Sequence, residues 1–508
     1  MRPPVSRTID GLLREQAALR PDADAVVAGD TRLTYRELAD LAAAAAGRLR
    51  ELGVRDGDRV GLLADNRAEW LAACFGAVSL GATLAAFNTW VKPRELDHLL
   101  AHSGVRVLVT VDRFGGNDYL AQLRELVPEP WGDIHSPRYP ALRAIEGAAR
   151  LVSGVWCSDT KRHSRGEALL LYTSGSTARP KAVPLEHGRL VENGFAIGER
   201  MGLGPADRVW LGSPLFWSFG SANALMATMT HGATLVLQSP FEPAAAVALM
   251  ERERCTAAYL LPTMTHALLP HAPRGLGTVR TGVTIGSPEE VRLAAETLGI
   301  TGICNVYGST ETYGNCAVTP HDAPLADRLD GQGPPLPGVR LRVVDPVTRA
   351  ELPAGATGEL EVAGSITPGY LDGTPADDAA FTTDGHYRTG DLGWIDEQGW
   401  LHFVARISEL IKTNGINVSP AEVEQYLLAH PAVAEVAVVG VPDETAGELV
   451  VAFVVTKTLT TADELRAYCR AGMATFKAPA RIELVDELPR TDTGKLSRRD
   501  LRARAHGA

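Results

Sequence analysis

In the stretch Leu171-Tyr172-Thr173-Ser174-Gly175-Ser176-Thr177-Ala178-Arg179-Pro180-Lys181-Ala182-Val183, four Ser/Thr residues and a glycine stand between an apolar run and a lysine. The run before it, Ala168-Leu169-Leu170-Leu171-Tyr172, predicts a buried strand, so the hydroxyls and Gly175 fall on the turn that leaves it. Small residues let backbone N–H groups face an anion, Ser and Thr add donors, and Lys181 adds a movable positive charge. Such a turn suits phosphate oxygens and therefore nucleotide handling. It is not a Walker loop, because no glycine directly precedes Lys181 and no Ser or Thr follows it. Standing alone, a cluster like this is most often a surface loop, and the weight of the reading rests on the rest of the chain.

At 508 residues the chain is too long for one core, and roughly 150 residues per domain predicts about three structural units. Its 45% hydrophobic and 22% charged content is that of an ordinary globular enzyme. The six cysteines, Cys74, Cys157, Cys255, Cys304, Cys316 and Cys469, form no C-x-x-C pair, which predicts reduced core residues in a cytosolic protein and no zinc site. A net charge of −11 argues against nucleic acid or an anionic membrane as partner. After Thr460 the balance reverses, with ten Lys/Arg against seven Asp/Glu, which suits a phosphorylated ligand or equally a solvated helix face. Met1 to Arg7 carries no apolar signal core. Leu71 to Val91 lacks charge and is long enough to cross a bilayer, but it is weakly apolar and broken by Gly76 and Gly81. It predicts a buried helix, a turn and a strand, and no membrane span.

Helices are predicted at Ser6 to Leu19, Thr34 to Leu52 and Glu186 to Arg200, and strands at Arg59 to Leu63, Val105 to Val111 and Arg208 to Gly212. This alternation favours parallel α/β layers as far as about Gly314. Asp112 to Arg165 shows little periodicity. Beyond Pro334, short strands at Val339 to Val344, Gly358 to Ala363 and Trp400 to Val404 predict a β-rich subdomain over about 334–404. A compact final module follows, with helices at Ala421 to Ala429 and Ala462 to Ala471 and strands at Val433 to Val439 and Leu449 to Val455.

Five further stretches follow the first in order: Asn305-Val306-Tyr307-Gly308-Ser309-Thr310-Glu311, Gly358-Glu359-Leu360-Glu361-Val362 with Gly369-Tyr370, Tyr387-Arg388-Thr389-Gly390-Asp391, the segment Ala405-Arg406-Ile407-Ser408 to Val418, and Leu488-Pro489-Arg490-Thr491-Asp492-Thr493-Gly494-Lys495. Together they resemble the adenylate-forming superfamily of acyl- and aryl-CoA ligases, amino-acid adenylation domains and beetle luciferases, over essentially the whole chain. The resemblance implies an α/β fold with a large N-terminal region, residues 1–406, and a small mobile α+β C-terminal domain, 407–508. It implies ATP/AMP, Mg²⁺ and coenzyme A as cofactors. It assigns Thr173, Ser174, Gly175, Ser176, Thr177 and Lys181 to phosphate, Tyr307 to adenine with Asn305, Gly308, Gly286, Ser287 and Pro288 nearby, and Thr310 to phosphate. Glu311, with Thr177, holds magnesium; Asp391 and Arg406 hold the ribose; Lys412 is a further cofactor-binding residue, and Gly415 lies where the pantetheine arm passes. Ser408 is the hinge and Lys495 the lysine that neutralises charge during adenylation. The Glu359 and Tyr370 segment is expected to shape the subdomain and take no part in catalysis.

The chain departs from the family's pattern in four places, one of them Ile285-Gly286-Ser287-Pro288, which stands where a Gly-Gly-Ala-Pro type of segment is common. Ala178 replaces a usual glycine, at a cost of about 1–2 kcal/mol if that residue needs a positive φ. Ser408 replaces a charged hinge residue, and Pro214-Leu215-Phe216-Trp217-Ser218-Phe219-Gly220 has Trp217 where His is common. Trp217, Phe219, Gly220 and Gly282 are the expected acyl-pocket residues, for an apolar organic acid over an amino acid. The resemblance implies a ligase that makes an acyl-CoA through an acyl-adenylate. Alternatives are a protein that only transfers the acyl group from preformed acyl-AMP, relying on a partner adenylating enzyme, one that loads a carrier protein, and a non-catalytic binder.

Overall fold

The computed structural model describes residues 1–129, 131–152, 166–173, 180–413, 416–443, 446–490 and 496–506. Ser174, Gly175, Ser176, Thr177, Ala178, Arg179, Gly415 and Lys495 lie outside the described residues. The chain divides into two compact units. One comprises Met1–Leu341, Val362–Tyr387 and Gly399–Leu401, the other Arg342–Glu361, Arg388–Gln398 and His402–Ala508.

The first unit is built on two largely parallel sheets. The larger has eight strands in the order Ala317–Val318, Gly302–Tyr307, Thr281–Thr284, Ala257–Leu260, Arg208–Leu211, Thr234–Leu237, Asp24–Ala28 and Thr31–Thr34, antiparallel only at its two edges. The smaller runs Lys181–Glu186, Glu167–Thr173, Thr83–Ala86, Arg59–Leu63, Val107–Thr110 and Ala144–Gly147. Strands such as Ala257–Leu260 and Thr83–Ala86 are buried at every residue, the pattern of a parallel sheet covered on both faces. The uncharged run from Leu71 resolves into the helix Ala68–Ser79 and the strand Thr83–Ala86. Gly76 lets that helix lie flush on the helix Tyr35–Glu51, since a Cβ there would stand 2.9 Å from the Ala42 carbonyl oxygen. Among the described residues no helix is long and apolar enough to cross a membrane.

Several strands escape the sequence reading. Lys181–Glu186 pairs antiparallel with Glu167–Thr173, and its Pro184 is tolerated because the strand lies at the sheet edge. The stretch around Asp391, which by itself reads as a T-G-D turn, is instead the interior of the ten-residue strand His386–Ile395, with Gly390 at φ +69°. The weakly periodic region after Asp112 also contributes the strand Ala144–Gly147 and the helix Tyr119–Leu126.

The second unit holds most of a four-stranded sheet, Arg340–Val344, Gly358–Ala363, His386–Ile395 and Leu401–Arg406, and a five-stranded sheet centred on the hairpin Val433–Asp443 with Gly447–Thr456. Alternation along that hairpin feeds two cores. Val438, Val450, Ala452 and Val454 pack with Val423 and Leu427 of the helix Pro420–Leu428 and Leu465 of the helix Ala462–Gly472. Ala437, Val439, Val451 and Phe453 pack with Leu501 and Ala505 of the helix Arg498–His506.

Candidate functional site

Ligands in open α/β sheets bind beyond the carboxyl ends of the strands, and the chemistry-bearing stretches of the first unit all leave such ends. Thr173 closes Glu167–Thr173, Tyr307 closes Gly302–Tyr307, Ile285-Gly286-Ser287 follows Thr281–Thr284, and Pro214 to Gly220 follows Arg208–Leu211.

The loop after Tyr307 is held by directional bonds. Tyr313 takes the left-handed conformation at φ 59°, and its carbonyl accepts from Asn193 Nδ2 at 3.1 Å and Asn223 Nδ2 at 2.8 Å. Its hydroxyl accepts from the Glu186 backbone N–H at 3.1 Å. Gly308 lets the loop close on itself, because a Cβ would lie 2.3 Å from the Gly314 carbonyl oxygen. Thr310 Oγ1 donates to Ser218 Oγ at 3.1 Å. Glu311 is buried, and its Oε1 accepts a 2.9 Å hydrogen bond from the Tyr370 hydroxyl. No cationic side chain among the described residues pairs with this carboxyl. A buried carboxyl oxygen without a counter-ion is a fitting ligand for a hard divalent cation.

Lys181 and Thr173 face each other across the hairpin mouth. Lys181 Nζ lies 2.6 Å from Asp377 Oδ1 and 4.9 Å from the centre of the Tyr370 ring. The lysine and the hydrogen bonds of the Thr374 cap hold the Asp377 carboxyl down at about 2. Burial, the Glu311 charge and Tyr387 push the Tyr370 phenol well above its usual value, so it remains a donor.

Beyond the strand Arg208–Leu211 stand three aromatic rings. Trp90 meets Phe216 at 5.3 Å and Trp217 at 5.2 Å between centroids, both edge-on, and Phe216 meets Trp217 at 5.9 Å. Trp90 and Trp217 are half-buried. The chain after Trp217 is π-helical over Phe219–Leu225, a rare geometry that recurs at functional sites.

In the second unit, Arg406 Nε lies 2.8 Å from Asp391 Oδ1. Asp391 is buried, its backbone N–H donating to Thr389 Oγ1 at 3.0 Å while Thr389 donates to the Leu360 carbonyl at 2.8 Å. Ser408 is exposed on a short turn, Ile407–Glu409, and Lys412 has an exposed side chain. Arg498, three residues past Lys495, binds Glu424 at 2.6 Å and the Val438 carbonyl at 2.6 Å and lies 3.6 Å from Glu409, the neighbour of Ser408.

The AMP-binding enzyme profile matches residues 13–371, and the AMP-binding enzyme C-terminal domain profile matches residues 422–495. The chain belongs to the AMP-binding enzyme family. It is an AMP-forming acyl-CoA ligase of that family. It is 34% identical to a feruloyl-CoA synthase of Amycolatopsis sp., over 96% of this chain and 97% of that one. It superposes on the o-succinylbenzoate CoA synthetase of Bacillus subtilis, solved with the acyl-adenylate intermediate, with a TM-score of 0.83, 28% identity and 97% coverage of each chain. It superposes on ATP-bound MatB of Rhodopseudomonas palustris with a TM-score of 0.87, 27% identity and coverage of 97% and 98%.

Within this ligase, several residues expected at the site sit in the packing. Asn305 is buried and donates to the Gly331 carbonyl at 3.2 Å. Phe219 packs edge-on against the buried Tyr259 at 5.1 Å, Gly220 accommodates the Pro214 carbonyl, and Gly282 accommodates that of Ala258 inside the sheet. Ser287 is exposed and Pro288 opens a short helix, Pro288–Arg292. Residues the sequence reading left out are Ser218, Tyr313, Asn193, Asn223, Tyr370 and Asp377. Tyr370 and Ser218 lay within segments already compared with the family, where Tyr370 was read as structural and Ser218 was given no role.

Proposed function

We propose that the ligase activates a hydrophobic, ring-bearing organic acid. The observation that carries this is the cluster of Trp90, Phe216 and Trp217, whose faces and edges suit a flat apolar acyl group. The feruloyl and o-succinylbenzoate activities of the relatives support the same reading.

The acid's carboxylate oxygen attacks the α-phosphorus of ATP, and the bond to pyrophosphate breaks, giving acyl-AMP. The sulfur of CoA then attacks the acyl carbon, and AMP leaves with the bonding pair. In the first step Thr173, Ser174, Gly175, Ser176, Thr177 and Lys181 cradle the phosphates, Tyr307 stacks on adenine beside Gly286 and Ser287, and Thr310 orients a phosphate oxygen. Glu311 and Thr177 would hold magnesium, which when bound neutralises phosphate charge. Lys495 adds positive charge near the reacting carboxylate. Asp391 and Arg406 fix the ribose hydroxyls. In the second step residues 407–508 turn about Ser408, and Lys412 and Gly415 line the path of the pantetheine arm. Among the described residues Cys74, Cys255, Cys304, Cys316 and Cys469 are buried free thiols, which with the use of ATP supports a cytoplasmic location.

A paired assay tests this. One arm supplies aryl, alicyclic, linear and amino acids with ATP, Mg²⁺ and CoA; the other supplies synthetic acyl-AMP with CoA, and both follow acyl-CoA by mass. Aryl-CoA in both arms is the expected result. Turnover confined to linear or amino acids, or acylation of a carrier protein with none of CoA, overturns it. Product from acyl-AMP alone would limit the protein to the thioester-forming step.

A further inference from the structure

A segment with no assigned chemistry ties the two ends of the phosphate site together. The Thr367 backbone N–H donates to the Glu311 carbonyl at 2.7 Å, Thr367 Oγ1 donates to the Pro184 carbonyl at 2.7 Å, and the Leu371 N–H donates to the Ala182 carbonyl at 3.0 Å. One short run is thereby fastened both to the residue expected to hold magnesium and to the strand that begins at Lys181. Tyr370 projects from this run. Its hydroxyl reaches Glu311 Oε1 at 2.9 Å, its ring face lies 4.9 Å from Lys181 Nζ, and Phe381 supports the ring at 5.7 Å.

We propose that Tyr370 is a positioning residue for adenylation, setting the plane of the Glu311 carboxyl through its hydroxyl and seating the Lys181 ammonium against its ring. The terminal torsion of a glutamate is broad, so an unanchored carboxyl swings. With Oε1 tied to Tyr370, the direction of Oε2 is fixed. Lys181 is held by two unlike partners, the ring and Asp377, which leaves ammonium hydrogens for phosphate oxygens. The alternative is a buried tyrosine that merely satisfies its hydroxyl on a nearby carboxyl.

The inference rests on the adenylation reading, and Tyr370→Phe separates the two. The variant keeps the ring and removes the hydroxyl. ATP–pyrophosphate exchange with a competent acid is expected to fall about ten- to a hundredfold, the range for losing a hydrogen bond to a charged group. Thioester formation from synthetic acyl-AMP stays within about twofold, because no metal-bound triphosphate takes part in that step. Mn²⁺ affinity in the presence of ATP, read by electron paramagnetic resonance on protein whose thermal unfolding matches wild type, weakens in parallel. In the double variant with Glu311→Gln the exchange loss does not exceed that of Glu311→Gln alone, since the tyrosine acts through the carboxyl. Equal losses in both half-reactions, unchanged Mn²⁺ affinity, or additive losses in the double variant overturn the proposal. Wild-type protein that uses acyl-AMP yet shows no exchange overturns the adenylation reading, and the proposal with it.

Discussion

The Glu311 loop and the Trp90, Phe216 and Trp217 cluster sit in the same unit and are held by opposite kinds of force. Around Glu311 every turn of the chain is fixed by a directional bond: Asn193 and Asn223 to Tyr313, Thr310 to Ser218, Tyr370 to the carboxyl. Around Trp217 the side chains meet through ring edges and faces, which attract without demanding one geometry. A phosphoryl-transfer site needs charges within a fraction of an ångström, whereas an acyl pocket needs volume and apolar surface. On the proposed reading, the first region would hold the chemistry constant while the second would admit different acids.

The largest test of this contrast is Glu311→Gln. It keeps the shape and the Tyr370 hydrogen bond but removes the charge, and exchange is expected to fall about a hundred- to a thousandfold. The ranking of acids in the panel should not move. A changed ranking would mean that the two regions are not independent.

Next comes Trp217→Ala from the other side. Removing one ring from the triad should shift the kcat/KM ratio between a bulky and a small acid by about tenfold to a hundredfold, the range for a hydrophobic-pocket change. The KM for ATP should stay within about twofold. A loss of exchange with every acid alike would instead make Trp217 part of the phosphate scaffold.

How much of this was legible in the sequence follows the same divide. Parallel layers, the β-rich strands and the final module were readable because their apolar periods match the faces they bury, as Ala257–Leu260 and the alternation of Val433–Asp443 do. Tyr307, Thr310 and Glu311 stand together in one contiguous motif, which is what drew the sequence reading to them. Tyr370, Asp377 and Ser218 were not read as site residues. Each owes its place to a fold that joins positions 59, 196 and 92 residues apart in the pairs Glu311–Tyr370, Lys181–Asp377 and Ser218–Thr310. The strand around Asp391 was hidden by a glycine whose positive φ suggests a turn but is absorbed within the sheet. For Asn305 and Gly282 the motif position did not reveal that a backbone carbonyl is the neighbour.

Ser218 stands where the two regions meet, next to Trp217 in sequence and bonded to Thr310 in space. Ser218→Ala leaves Thr310 free to rotate, and exchange is expected to fall about threefold to tenfold, the scale of one neutral hydrogen bond. Full activity with an altered acid ranking would assign Ser218 to the acyl side alone.

The smallest expected effect concerns pH. Asp377 is a carboxyl whose folded value is lowered, chiefly by the Lys181 hydrogen bond and then by the Thr374 cap, to about 2. A lowered carboxyl contributes its stabilisation fully above its unfolded value, near 4, and loses it only as pH falls through the folded one. Asp377 therefore stays ionised beside Lys181 above about pH 5, and no acid limb of the exchange profile above that pH comes from its titration. Asp377→Asn should change the KM for ATP, because Lys181 loses one of its two partners, while the shape of the pH profile stays that of wild type. An acid limb present in wild type and absent from Asp377→Asn would show the pair breaking near neutrality, and the phosphate end would then be held less firmly than its hydrogen bonds imply.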